Sequence, residues 1–142
     1  MISLDEIIDN FEFLDDWEDK YKYVIELGRM LPEFPEDERT TDNKVDGCVS
    51  QVWLVKTLKS DEDGNPVIFY QGDSDAHIVK GLIALVLASV SGRKESDIHS
   101  FEMEDVFSKI GLREHLTPQR SNGLSSMVGR IKQDAAQAIE NA

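Results

Sequence analysis

The stretch Val49-Ser50-Gln51-Val52-Trp53-Leu54-Val55-Lys56-Thr57-Leu58 is rich in β-branched and apolar residues, which suit a pleated, half-buried strand. Alternation places Val52, Leu54 and Leu58 on one face and Val49, Trp53 and Val55 on the other, so both faces are expected to be covered for part of the strand's length. Ser60-Asp61-Glu62-Asp63-Gly64-Asn65 is turn chemistry, and Val67-Ile68-Phe69-Tyr70 reads as a second strand, antiparallel to the first across a longer hairpin loop. Gly72-Asp73-Ser74-Asp75 then offers helix N-cap groups. The segment that follows, to Ser91, is apolar nearly all round, the pattern of a helix central to a core. Gly92 ends it, with Arg93 and Lys94 just beyond its negative end.

The flanks are helical. Ser3-Leu4-Asp5-Glu6 has the form of a capping box ahead of Leu4, Ile7, Ile8 and Phe11 at helical spacing. Asp15, Asp16 and Glu18 favour a second helix start, along which Trp17, Tyr21, Val24, Leu27 and Leu31 form an apolar line. Gly28 weakens that helix and Pro32 stops it. Residues 32–44 form the longest irregular connection, of a length that is often functional or mobile. Beyond the hairpin and its helix, short helices are expected near residues 96–99 and 103–110, with Gly111 as a stop. Thr117-Pro118 opens a last amphipathic helix carrying Leu124, Met127, Val128, Ile131, Ala135 and Ala138. The expected fold class is α+β.

The chain has 142 residues, 15 Lys and Arg, 28 Asp and Glu, and hence a formal charge of −13. That length is expected to make one domain, residues 1–142, around one core. The acidity argues against binding a nucleic-acid backbone, where affinity comes from Lys and Arg displacing counterions, and suits a partner with a basic docking face. A single cysteine, Cys48, excludes an intrachain disulfide, a Cys-x-x-Cys redox pair and a cysteine cage for zinc or an iron–sulfur cluster. The N-terminal residues show no basic and apolar pattern of a secretory signal. The most apolar stretch, residues 78–90, is shorter than the roughly 20 residues of a membrane span, so a cytoplasmic location without membrane partners is expected.

Cys48 lies in Asp46-Gly47-Cys48-Val49-Ser50-Gln51, at an expected loop–strand junction beside a glycine that removes side-chain bulk. Such a thiol can be reached by another molecule's sulfur, yet a free cysteine is also a small hydrophobe suited to burial. These residues alone leave both readings open. A Cys–His hydrolase would need His77, His99 or His115 beside the thiol, and none of them stands in a recognisable context for that role. No His-x-x-x-His or His-Glu-x-x-His spacing points to a metal, and no glycine-rich phosphate loop points to a nucleotide. Arg120-Ser121-Asn122-Gly123-Leu124 is either capping polarity with a close-packing glycine or a polar helix end facing the thiol or a partner.

Lys44-Val45-Asp46-Gly47-Cys48-Val49-Ser50-Gln51-Val52-Trp53-Leu54 resembles the cysteine motif of the SufE/CsdE family of sulfur-acceptor proteins. Gly72-Asp73-Ser74-Asp75-Ala76 with Ile78-Val79-Lys80-Gly81-Leu82 is similar to a second block of that family, and His115-Leu116-Thr117-Pro118-Gln119-Arg120-Ser121-Asn122-Gly123-Leu124 to a third. Residues 23–32 fit as well, and the blocks stand in the family's order across nearly the whole chain. Val49 stands where relatives often carry Gln.

The resemblance implies a small curved antiparallel sheet of about three strands against several helices, similar to IscU-type scaffolds, with residues 44–47 as the extra short strand. It implies a protein that is not a stand-alone enzyme. It would bind and stimulate a cysteine desulfurase of SufS or CsdA type, take persulfide sulfur onto Cys48, and pass it to an Fe–S assembly scaffold of SufBCD type. No cofactor resides on this chain in that reading, since pyridoxal phosphate belongs to the desulfurase. By position, Asp46, Gly47, Ser50 and Gln51 would set the loop around the thiol, and Arg120 and Asn122 would line its surroundings or contact the desulfurase. The alternative is an acidic regulatory module that binds a desulfurase without carrying sulfur.

Overall fold

The expected hairpin forms, and it runs longer than its apolar pattern. In the computed structural model, which describes residues 3–48 and 50–140, β1 (Val52–Ser60) pairs antiparallel with β2 (Pro66–Ser74) in a register from Val52↔Ser74 to Ser60↔Pro66. β1 therefore starts at Val52, three residues later than expected from the start at residue 49; Val49 lies outside the described residues. Gly72, Asp73 and Ser74, expected at the helix cap, belong to β2 instead. Continued pairing with Val52, Trp53 and Leu54 holds them extended. Asp73 is buried there and met by Arg39, whose Nε donates to its carboxylate at 3.1 Å, and by Lys80 at 3.6 Å. Leu58, expected on the covered face, is exposed because the far end of β1 extends beyond the core, while Trp53 and Val55 are half-buried.

A third strand is represented by one bridge. Val45 N–H donates to the Val52 carbonyl at 2.8 Å and Leu54 N–H to the Asn43 carbonyl at 2.9 Å, joining Lys44 to Trp53 across the free edge of β1. The opposite edge is met by a bridge from Ile68 to Arg93.

The helices are α1 (Leu4–Phe13), α2 (Trp17–Arg29), α3 (His77–Val90), α4 (Glu95–Ser100), α5 (Met103–Ile110) and α6 (Pro118–Glu140), with 3-10 turns at Glu36–Glu38 and Arg113–His115. Ser3 Oγ accepts from the Glu6 N–H, Asp16 from the Asp19 N–H and Thr117 Oγ1 from the Arg120 N–H, so three helix starts are capped by the residues expected there. α3 is buried on nearly every side and lies against β2, as its all-round apolar sequence requires. α2 crosses α3 at Gly28 and Gly81, where the backbones come so close that a Cβ on Gly81 would run into the Val24 carbonyl. α6 runs along the hairpin, and the buried Tyr70 hydroxyl donates to the Ile131 carbonyl at 2.8 Å. The connection at residues 32–44 is tied down by buried Phe34 and by Arg39, whose guanidinium lies 5.8 Å over both the Phe34 and Trp53 rings. No described helix is long and apolar enough to cross a membrane.

Candidate functional site around Cys48

Cys48 sits between the bridged segment and β1, against the N-terminal part of α6. Gly47 delivers it there with φ at +88°, a left-handed conformation that favours glycine, and a Cβ at Gly47 would lie 2.5 Å from Ser126 Oγ. Glycine is thus required twice at that position, once for the turn and once for the contact with α6. At Gly123 the α6 backbone is bare: a Cβ there would stand 3.5 Å from Cys48 Sγ, and the thiol donates to the Gly123 carbonyl at 3.5 Å.

The thiol is half-buried at the edge of a pocket of about 90 Å³. Its floor is apolar, made by Val52 of β1, Val79 and Leu82 of α3, and Leu124 and Met127 of α6; Ser50, Thr117, Gln119 and Arg120 give it a polar rim. Burial pushes the Cys48 thiol above its ordinary range, so it is protonated at neutral pH. Desolvation alone sets the direction of that shift, with half-buried Arg120 standing on the pocket's polar rim. The arrangement stores a half-buried, uncharged thiol over an apolar floor, reachable from the polar side.

The sequence-predicted residues divide around this pocket. Ser50 and Arg120 line it with Cys48. Asp46 and Gly47 are exposed on the turn, and Gln51 is exposed just before β1. The Gln51 N–H donates to Asp75 Oδ1 at 3.0 Å and its carbonyl accepts from the Asp75 N–H at 3.4 Å, so Asp75 anchors the chain downstream of the thiol rather than capping a helix. Asn122 is exposed and does not line the pocket. The histidines do not line it either: His77 and His99 are exposed, and His115 stacks on Trp17 with ring centroids 4.2 Å apart. Among the described residues no cluster of His, Cys, Asp or Glu is suited to hold a metal ion. Sequence reasoning missed Thr117 and Gln119, which share the start of α6 with Arg120. It also missed the pocket floor, whose residues register in a sequence as ordinary core.

The fold is shared with a hypothetical protein from Thermus thermophilus whose solution structure aligns at TM-score 0.73 over 99% of both chains, with 19% identity. An uncharacterised SufE-like protein of Rhizobium etli is 59% identical over 135 residues, covering 95% of this chain and 90% of its own length. A second, from Rhizobium meliloti, is 58% identical and is covered over 96% of its length. The SufE family, described as an Fe–S metabolism associated domain, matches residues 5–135. The chain belongs to the SufE family.

Proposed function

We propose that this protein is a cytoplasmic sulfur acceptor that takes sulfur onto Cys48 from the persulfide of a pyridoxal-phosphate cysteine desulfurase of SufS or CsdA type, stimulates that enzyme by relieving it of sulfur, and delivers the sulfur to an Fe–S assembly scaffold of SufBCD type. The observation that carries this reading is a solitary thiol set over an apolar pocket with free space beside the sulfur and a polar opening.

In the transfer, the Cys48 thiolate attacks the outer sulfur of the partner's persulfide. A new S–S bond forms on Cys48 as the partner's S–S bond breaks, and the partner's cysteine leaves as a thiolate that takes a proton. No electrons are gained or lost overall, and no second cysteine is needed in this chain. The reaction is close kin to thiol–disulfide exchange, whose rate follows nucleophile ionisation, leaving-group pKa and access. The stored thiol is protonated, so docking must draw it out of the pocket; Gly47 supplies the backbone freedom for that movement. Once loaded, the outer sulfur fits the space above Val79, Leu82 and Met127, with Arg120 on the rim to balance a persulfide anion. Exposed Asn122, Asp46 and Gln51 face outward, where a partner meets them.

Incubation with such a desulfurase and L-cysteine is expected to add the mass of sulfur to Cys48, read by intact-mass spectrometry, with none added to the Cys48→Ser variant. An active desulfurase that leaves Cys48 unloaded would refute the reading, as would stimulation of the enzyme that survives Cys48→Ser undiminished.

A further inference from the structure

α6 presents one row of positions to the segment that carries Cys48. Gly123, Ser126, Arg130 and Asp134 recur at spacings of three and four, which is one face of the helix. The segment follows them in the opposite order, with Cys48 against Gly123, Gly47 beneath Ser126, and Lys44 and Asp42 opposite Arg130. Arg130 is the strongest contact of the row. Its Nη1 donates to the Lys44 carbonyl at 3.0 Å and its Nη2 to the Asp42 carbonyl at 2.5 Å. Its Nε donates to the Asp134 carboxylate at 3.0 and 3.2 Å. Asp134 is buried, with Lys56 Nζ 3.6 Å away as its second cation.

The buried carboxylate fixes the plane of the guanidinium, and the planar fork spans two carbonyls that a point-charge ammonium cannot hold together. The same stretch is held from its other side by the Val45–Val52 and Asn43–Leu54 backbone bonds. Beyond it, Asp46 and Gly47 are exposed, and apart from the thiol's own contact with the Gly123 carbonyl the next described tether is the Gln51–Asp75 pair. Movement of Cys48 is therefore confined between a root at residues 42–45 and an anchor at Gln51.

We propose that Arg130 is a positioning residue for Cys48: by clamping the Asp42 and Lys44 carbonyls to α6 it fixes the root of the cysteine turn and sets how deeply the thiol sits in its pocket. The inference rests on Cys48 being the reacting group proposed above. Without the clamp the root rides up from α6 and the thiol spends more of its time in water.

The test is the pH dependence of Cys48 alkylation by iodoacetamide on the purified full chain, with no desulfurase present. Arg130→Lys keeps a cation for Asp134 and loses the two-carbonyl fork. It is expected to remain folded, to be alkylated about fivefold faster or more at neutral pH, and to show its titration midpoint moved down toward that of a free thiol. Lys56→Gln removes the other cation from Asp134 without touching either carbonyl, and its alkylation profile is expected to match the unaltered protein's.

A folded Arg130→Lys protein with an unchanged profile overturns the proposal. So does a Lys56→Gln protein that reproduces the effect, because the charge on Asp134 would then set the thiol's environment. Loss of the folded state in both Arg130→Lys and Arg130→Gln overturns it too, by making Arg130 a determinant of the whole fold. A protein that takes no sulfur from a desulfurase refutes the acceptor reading and leaves the alkylation result in force, so the two failures are distinct.

Discussion

Burial over the apolar floor raises the Cys48 thiol's pKa, and Tyr70 is raised for the same first reason, with the charges of Asp134 and Glu95 adding to it. Both groups are neutral acids that the fold keeps protonated. The unfolded chain ionises them first as pH rises, so stability is fully present below the unfolded values and is lost as pH climbs through the folded ones. Cys48 alkylation is accordingly expected to have a higher pH midpoint in the native protein than in urea, and coincident midpoints would show that the thiol is not desolvated at rest. Tyr70→Phe is expected to cost about 1 kcal/mol at neutral pH, for the lost bond to the Ile131 carbonyl, while flattening the alkaline fall in stability. Urea melts at neutral pH and above the tyrosine's ordinary value of 10.0 measure both effects.

Between elements, the closest constraint is the crossing of α2 on α3. A side chain on Gly81 would enter the Val24 carbonyl, and one on Gly28 would lie 2.7 Å from the Gly81 nitrogen, so each helix needs the other's glycine. Gly81→Ala is expected to cost about 3 kcal/mol, the upper end for an overpacked core, since backbone cannot step aside as a side chain can. Gly129→Ala, in the middle of α6 with nothing near its missing Cβ, is expected to gain about 0.5–1 kcal/mol. Denaturant midpoints of the two variants should move in opposite directions. These glycines mark what a sequence carries and what it withholds. Periodicity alone places Gly28 inside a helix and counts it as a weakness, because the partner that needs it stands far along the chain. The hairpin and the core helix are legible because their signals are local. The cap reading of Gly72, Asp73 and Ser74 fails for the converse reason: the same small polar residues suit a strand end once β1 pairs with them and Arg39 and Lys80 neutralise Asp73. Val79, Leu82, Leu124 and Met127 read as core from their spacing, and nothing local tells that they leave a pocket beneath a thiol.

At the scale of the whole molecule, the charge of −13 acts on stability and on association in opposite senses. The two buried carboxylates, Asp73 and Asp134, each hold two cations, Arg39 with Lys80 and Arg130 with Lys56. Those four part-exposed cations are paired with the two buried carboxylates, which leaves the remaining surface with an even larger acidic excess. Like charges on that surface repel one another in the compact state, and salt screens them within a Debye length of about 10 Å at 0.1 M. The partly buried pairs are screened much less and lose little. Raising sodium chloride at neutral pH is therefore expected to raise the melting temperature by a few degrees. The same screening is expected to slow docking on the basic face of the proposed desulfurase by about tenfold between low and high salt, since steered encounter depends on long-range attraction. Calorimetry gives the first quantity and stopped-flow association the second. A melting temperature that falls with salt would place the governing charges in the surface ion pairs instead, and a salt-independent association rate would remove the acidic surface from partner recognition while leaving the Cys48 chemistry untouched.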